Sequence, residues 1–158
     1  MKKIIILTTL ALFLMTAASW AATGKFSGGG VVTIQSGTTL FGGQVKYGVM
    51  DKVDVEGRLE LATVSGATVT LISGLGIYNF DVGIKQVVPY AGGGISIMSA
   101  TVAVPGFGSF GGSATGLTVL GGASYLITEQ AAAFAEAAFS TTGGTGGLGI
   151  SLGGNYTF

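Results

Sequence analysis

The 158-residue chain has no cysteine, no histidine and only two prolines, and charged residues make up 9% of it. The absence of cysteine excludes disulfides and thiolate chemistry. A serine nucleophile would lack the histidine base that normally activates it. The chain also lacks a basic tract for nucleic acid and a His, Cys or clustered Asp set for a metal. We therefore predict no nucleic-acid partner, no metal and no cofactor.

Long hydrophobic runs are also missing beyond the first 21 residues, where no apolar stretch approaches the roughly 20 residues of a spanning helix. The mean hydropathy is nevertheless +0.69, and 30 glycines disfavour helices throughout the chain. In lipid, a closed barrel is the β-structure that satisfies every backbone N–H and C=O. Interleaved Val, Ile, Leu, Phe and Tyr argue against glycine-rich disorder. Hydrophobicity without helices therefore favours a β-barrel in lipid.

The N-terminus has the pattern of a secretory signal peptide. Lys2 and Lys3 precede an apolar run from Ile4 to Met15, and small residues follow up to Ala21. The apolar run is too short for a transmembrane helix of about 20 residues. We expect cleavage after Ala21, which would leave residues 22–158 as one outer-membrane barrel domain. The alternative is an uncleaved N-terminal anchor.

The final eleven residues alternate between two faces, as in a strand with one face toward lipid. Small or polar residues occupy one parity, and the chain ends in an aromatic residue. About ten alternating residues suffice for a tilted strand to cross an outer membrane. The apolar parity comprises Leu148, Ile150, Leu152, Gly154, Tyr156 and Phe158.

Seven further segments show strand patterns, and the clearest alternation is in VDVEGRLELATV from Val53 to Val64. A helix would mix its two faces. Eight strands satisfy the even-number rule for bacterial barrels. We therefore predict an all-β fold, an eight-stranded antiparallel up-and-down transmembrane β-barrel. The predicted strands are residues 25–35, 39–49, 53–64, 69–80, 89–98, 115–127, 131–141 and 148–158.

The predicted connections fall into two groups that differ in charge. Met50 to Asp54, Asp81 to Val87 and Thr128 to Gln130 carry most of the charges outside the strands and are assigned to the periplasmic side. The outward connections carry no charge, and the longest of them contains PGFGSFGG. These outward loops are Ser36–Thr38, Ser65–Thr68, Val102–Ala114 and Gly143–Gly147.

Taken in order, several segments resemble the small eight-stranded outer-membrane barrels of the OmpA transmembrane domain, OmpX and opacity-protein type. The resemblance covers the whole chain. It implies an outer-membrane location and a structural, membrane-stabilising or weakly porin-like role. Besides the signal peptide, the segments are YGVMDKVDVEGRLEL (Tyr47–Leu61), PYAGGGISI (Pro89–Ile97), SYLITEQAAAFAE (Ser124–Glu136) and the NYTF end.

The same resemblance implies partners. In such barrels a terminal Phe and an aromatic two residues earlier, here Phe158 and Tyr156, form a sorting signal that the barrel-assembly machinery reads. The surroundings would be outer-membrane lipid and lipopolysaccharide, and a monomer is favoured. The outward loops are much shorter and less polar than those that family members use for adhesion, which argues against an adhesin.

Charged and amide side chains within the strands lie opposite the apolar parity and are therefore expected in the lumen, which side chains just fill in an eight-stranded barrel. A turn about Asp51 would pair Lys46 with Glu56 and Gln44 with Arg58, whereas a turn one residue later would pair Lys46 with Arg58. Our hypothesis is a paired network that closes the pore. The alternative is a narrow gated path for ions or small solutes. The residues are Gln44, Lys46, Glu56, Arg58, Glu60 and Glu136.

Two other classes of protein are considered. Glu56 and Glu60 could act as glycosidase-like carboxylates, but they lie far from any evident cleft, and we predict that the protein is not an enzyme. A soluble exported β-protein, such as a binding module or fibre subunit, would need polar residues outside. The polar residues on the non-apolar faces of the strands are too few to cover the outside of a soluble protein, and no repeat of fixed period is present.

Overall fold

The computed structural model describes residues 24–158 except residues 65, 105, 107 and 143–146. The predicted signal peptide lies outside these residues. Eight antiparallel strands pair in chain order, and β1 also pairs with β8, so the sheet closes into a barrel. The predicted fold class is confirmed. The strands are β1 (Phe26–Gln35), β2 (Thr38–Met50), β3 (Val53–Val64), β4 (Ala67–Asn79), β5 (Val87–Val104), β6 (Gly108–Leu126), β7 (Ala131–Ser140) and β8 (Gly147–Thr157).

The barrel is apolar outside and polar inside, the reverse of a soluble protein. Along β3, Val55, Leu59 and Leu61 are exposed, while the residues between them are buried or half-buried. The same alternation runs along β8, as the sequence predicts. In the described part of the chain, no helix is long and apolar enough to cross a membrane. Other exposed outward residues include Ile34, Phe41, Ile72, Ile95, Leu117, Val119, Phe139, Ile150 and Leu152.

The two ends of the barrel differ in charge. At one end, the charged rim, the connections span residues 51–52, 80–86 and 127–130. At the other, the uncharged rim, they span residues 36–37, 65–66, 105–107 and 141–146. Ser36 and Gly37 both have positive φ, of 49° and 81°. Such a two-residue turn matches the right-handed twist of the strands that it joins.

A β-bulge near the other end of β2 sets the register between β2 and β3. The ladder pairs Met50 with Val53 but Gly48 with Asp54, so Val49 is an extra residue. If the ladder continued from the Met50–Val53 pair without a bulge, Lys46 would face Gly57, whose position points outward. With it, Lys46 lies opposite Glu56 on the inner face. The bulge therefore keeps the lumen residues of the two strands on one side of the sheet.

The β5–β6 hairpin is longer than the sequence predicts. Residues 102–114 were expected to form the longest loop, but β5 continues to Val104 and β6 begins at Gly108. Gly106 lies within the short connection and Gly108 directly follows it, with φ of 84° and 92°. From Gly108 onward, the glycine-rich segment forms a strand because β5 provides it with a ladder partner. The longest connection is instead residues 80–86.

Candidate functional site: the lumen

The lumen contains charged side chains that meet across the barrel. Arg58 on β3 and Glu136 on β7 approach from opposite walls, and the Arg58 Nη1 atom donates to Glu136 Oε1 at 2.5 Å. Arg58 also contacts its β3 neighbour Glu56, with Nη2 2.7 Å and Nε 3.0 Å from Glu56 Oε1. All three residues are buried. This cross-lumen ion pair occupies the middle of the barrel.

Lys46 joins the same group from β2. Its Nζ atom lies 3.0 Å from Glu56 Oε2, so Glu56 bridges two cations. The ammonium also sits 5.0 Å from the Tyr90 ring centroid and 5.4 Å from that of Phe134. Aromatic faces attract a cation and here cover its apolar stem. Lys46 is thus held by one carboxylate and two rings.

The remaining two predicted residues are placed differently. Gln44 is opposite Arg58 in the β2–β3 ladder, but its Nε2 atom donates to Asn155 on β8, at 2.9 Å. Glu60 is also buried, with 2% of its surface exposed, yet its Oε1 atom has no hydrogen-bond partner in the described part of the chain. The structure therefore brings Lys46, Glu56, Arg58 and Glu136 into one ion-pair network and leaves Glu60 beside it.

Two glycines make room for the carboxylates. Gly42 faces Glu60 and Gly122 faces Glu136 on the adjacent strands. A Cβ atom added to Gly42 would lie 2.7 Å from Glu60 Cα, and one added to Gly122 would lie 2.7 Å from Glu136 Cβ. Real Cβ atoms do not approach other atoms so closely. The neighbouring atoms cannot easily move away, because an eight-stranded lumen has little spare volume. These glycines allow the longer side chains to lean over the neighbouring strand.

A layer of buried hydroxyl groups lies beyond the ion pairs, and we call it the hydroxyl belt. Ser73 and Ser96 share a hydrogen bond of 2.8 Å, as do Thr33 and Ser151. The belt continues from Ser96 to Thr118 at 2.7 Å, and Thr118 donates to Ser140 at 3.1 Å. Six strands thus contribute one hydroxyl each. The members are Thr33, Ser73, Ser96, Thr118, Ser140 and Ser151.

Two cavities follow each other toward the uncharged rim. The inner one has a volume of about 30 Å³ and is lined by Arg58, Glu60 and the hydroxyl belt. The outer one, which we call the vestibule, has a volume of about 460 Å³ and is lined by uncharged residues that include Leu40, Leu71 and Met98. In the described residues, no cluster of three His, Cys, Asp or Glu side chains could hold a metal ion.

The aromatic residues at the C-terminus lie together at the charged rim. The Tyr156 and Phe158 rings are 5.3 Å apart between centroids, and Phe26 lies 6.1 Å from Phe158. The Tyr156 hydroxyl donates to Gln130 Oε1 at 2.9 Å. Both aromatic side chains are exposed on the outer surface. This cluster joins β1, β8 and the turn between β6 and β7.

Sequence reasoning missed several lumen residues because they are not charged. The Tyr90 hydroxyl donates to Glu136 Oε2 at 3.0 Å. Buried Val31, Leu75, Ile77, Leu120 and Phe134 pack with Tyr90 in an apolar cluster. The alternation of inward and outward positions along each strand would have identified these residues and the hydroxyl belt, since every one lies on the inward face of its strand. The lumen is thus part ion-pair network, part hydroxyl layer and part apolar core.

Comparison with solved structures identifies the same fold. The N-terminal β-barrel domain of OprF from Pseudomonas aeruginosa matches with a TM-score of 0.69 and 20% identity, over 86% of this chain and 100% of that one. Neisserial surface protein A matches with a TM-score of 0.62 and 19% identity, over 85% and 97%. Ail, the attachment invasion locus protein of Yersinia pestis, gives 0.63 and 17%, over 85% and 97%.

No protein-family model matches the chain, and no curated protein sequence matches it. At 20% identity or less, the structural matches define the fold and not the activity. The chain has the fold of the small eight-stranded outer-membrane barrels.

Proposed function

We propose that the protein is an integral outer-membrane barrel with a structural, membrane-stabilising role, and that side chains close its lumen. The observation that carries the proposal is the distribution of residues across the barrel wall. Large apolar side chains cover the outside, and charged side chains lie buried inside. A soluble barrel would expose polar groups, because a large apolar surface in water promotes association. A lipid environment explains this arrangement.

The closed lumen is supported by the pairing of its charges. Arg58 spans from Glu56 to Glu136, and Lys46 secures Glu56 from the other side. The side chains of Glu56 and Glu136 are fully buried and that of Arg58 nearly so. A buried ion pair costs desolvation, and breaking it leaves an uncompensated charge. The network therefore opposes opening of a path through the lumen.

The substitution Glu136→Gln tests the closure. It removes the charge that holds Arg58 on the far wall, so we expect lower stability in urea and more frequent channel openings in planar bilayers. Glu129→Gln is a matched control, because Glu129 is exposed in a turn at the charged rim. If Glu136→Gln changes neither open probability nor stability relative to Glu129→Gln, the network does not close the lumen.

The gated path for ions or small solutes is the second candidate, and the vestibule of about 460 Å³ favours it. The inner cavity separates the vestibule from Arg58 and Glu60, which line the inner cavity and not the vestibule. Discrete openings of the unmodified protein in the same bilayers would support a weakly porin-like role. A silent unmodified protein with openings in Glu136→Gln would support a closed structural barrel.

Assembly and surroundings belong to the same proposal. Tyr156 and Phe158 present exposed rings at one rim, where a sorting factor can reach them. We propose that they form the signal read by the barrel-assembly machinery and that the apolar exterior contacts lipid and lipopolysaccharide. Reduced amounts of Phe158→Ala in outer membranes, with unchanged stability of the refolded variant, would support the sorting role. If Phe158→Ala lowers both its amount in outer membranes and the stability of the refolded protein, Phe158 has a packing role.

A further inference from the structure

The inner cavity lies between the ion-pair network and the vestibule. It shares Arg58 and Glu60 with the charged layer, and Gln35, Leu71 and Ser140 with the vestibule. A volume of about 30 Å³ has room for roughly one or two water-sized species. Every member of the hydroxyl belt lines it. The cavity is therefore small and lined by seven strands, with the oxygen atoms of the hydroxyl belt beside apolar side chains such as Leu75 and Leu120.

Glu60 is the carboxylate beside this cavity that makes no ion pair with another described residue. Lys46 and Arg58 pair with Glu56 and Glu136, which makes a set of two cations and two carboxylates. Glu60 is a third carboxylate, is 2% exposed and makes no ion pair in the described part of the chain. Its Oε1 atom also lacks a hydrogen bond there. The buried charges thus sum to one uncompensated negative charge.

We propose that the inner cavity binds one monovalent alkali cation, Na⁺ or K⁺. Glu60 is its charged ligand, and hydroxyl oxygens of the belt are neutral ligands. Hard cations bind oxygen ligands, and Thr33 and Ser151, which share one hydrogen bond, retain lone pairs beyond it. One positive charge balances the one unpaired carboxylate. A divalent ion would leave an excess positive charge in the lumen.

Arg58 also lines the cavity, but two carboxylates already compensate its charge. A proton on Glu60 is the competing way to neutralise the carboxylate. With a proton on Glu60, a water molecule would fill the space and bond to the oxygen lining. An alkali cation instead keeps the carboxylate ionised, so the two states differ in whether stability depends on Na⁺ or K⁺. Cation binding can be measured whether or not the lumen conducts.

The test is urea unfolding of the full chain in detergent micelles at pH 8. NaCl or KCl replaces choline chloride at constant ionic strength, since choline is too large for the cavity. A ligand that binds only the folded state lowers the unfolding equilibrium constant in proportion to its concentration above the dissociation constant. We expect about a tenfold decrease for each tenfold increase in Na⁺ or K⁺. Glu60→Gln should remove this dependence, and Glu129→Gln should retain it.

An unmodified protein whose stability does not depend on the cation overturns the proposal and indicates a protonated Glu60. A dependence that persists in Glu60→Gln overturns it as well, because the cation then binds elsewhere. If Glu60→Gln does not refold, the pair Thr33→Val and Ser151→Ala removes two belt hydroxyls while keeping the carboxylate. A weaker dependence in that double variant supports the site, and an unchanged one contradicts it.

Discussion

At the scale of single residues, Glu56 connects the two cations of the lumen. Its Oε1 atom contacts Arg58 and its Oε2 atom contacts Lys46, while its side chain is fully buried. Both cations approach it from the same face of the β2–β3 ladder. Removal of one partner from a buried ion pair leaves the other charge unpaired in a poorly hydrated place. The network therefore depends most strongly on the charge of Glu56.

We expect Glu56→Gln to lower the free energy of unfolding by about 3–5 kcal/mol, the usual cost of breaking a buried ion pair. Urea unfolding in micelles measures the change. The exposed substitution Glu129→Gln should change it by less than about 0.5 kcal/mol. Equal stabilities of the two variants would show that the lumen hydrates Lys46 and Arg58 well enough to replace the carboxylate.

Two adjacent glycines on β6 give a second test at this scale. Gly122 faces inward against Glu136, whereas a Cβ added to the outward Gly121 would meet its nearest atom, Tyr90 O, at 3.8 Å. Gly122→Ala should therefore destabilise the barrel by about 1–3 kcal/mol through overpacking. Gly121→Ala should be neutral or slightly stabilising in the same urea experiment. Tolerance of both substitutions would contradict the close packing of Glu136 against β6.

At the scale of an element, β3 shows how one strand serves two environments. Its outward residues are apolar from Val53 to Leu61, and its inward face carries Glu56, Arg58 and Glu60. Outward positions near the strand centre would lie deep in the bilayer, and those near its ends would lie at the interface. The cost of an outward charge should therefore depend on depth.

Leu59 is near the centre of β3, Thr63 lies next to its end on the same outward face, and both are exposed. In lipid vesicles, Leu59→Arg should cost about 2–4 kcal/mol and Thr63→Arg about 0–1 kcal/mol. Chemical unfolding of each variant from vesicles provides the comparison. Similar small costs at both positions would mean that the outer face is in water, as in a soluble barrel.

The β5–β6 hairpin shows that a strand cannot always be predicted from its own sequence. From Gly108 to Ala114, glycine, serine and other small residues leave little apolar alternation, and this weak pattern predicts a loop. The segment pairs with β5 residue by residue as far as Val104. Backbone hydrogen bonds to a neighbour do not depend on side-chain type, so a partner strand can extend a ladder that periodicity does not indicate.

At the scale of the whole molecule, closure joins β1 to β8 and leaves no sheet edge along the barrel. A closed barrel resists detergent because every ladder must break together. We expect an unboiled sample to migrate faster than a boiled one on an SDS gel. Membrane fractionation of the same cells is the companion measurement. A single unshifted band from a soluble fraction would instead favour the soluble β-protein.

Much of the fold could be predicted because strand alternation is local. Each strand from β1 to β4 begins and ends within two residues of its predicted limits, and β3 has the predicted bounds of Val53 and Val64. The inward parity of the charged residues also follows from alternation. The identities of their partners do not, because a contact across a lumen depends on strand tilt and register rather than on spacing along the chain.

By itself, the sequence determined the number of strands and which face of each strand is apolar, because both properties repeat every two residues along the chain. Only the tertiary structure decided the register and the partners. The bulge at Val49 keeps Lys46 opposite Glu56, and closure brings Arg58 to Glu136. Closure also leaves Glu60 beside the hydroxyl belt without a counter-charge. These arrangements arise between strands distant in sequence, where barrel geometry and the lumen volume fix which side chains can meet.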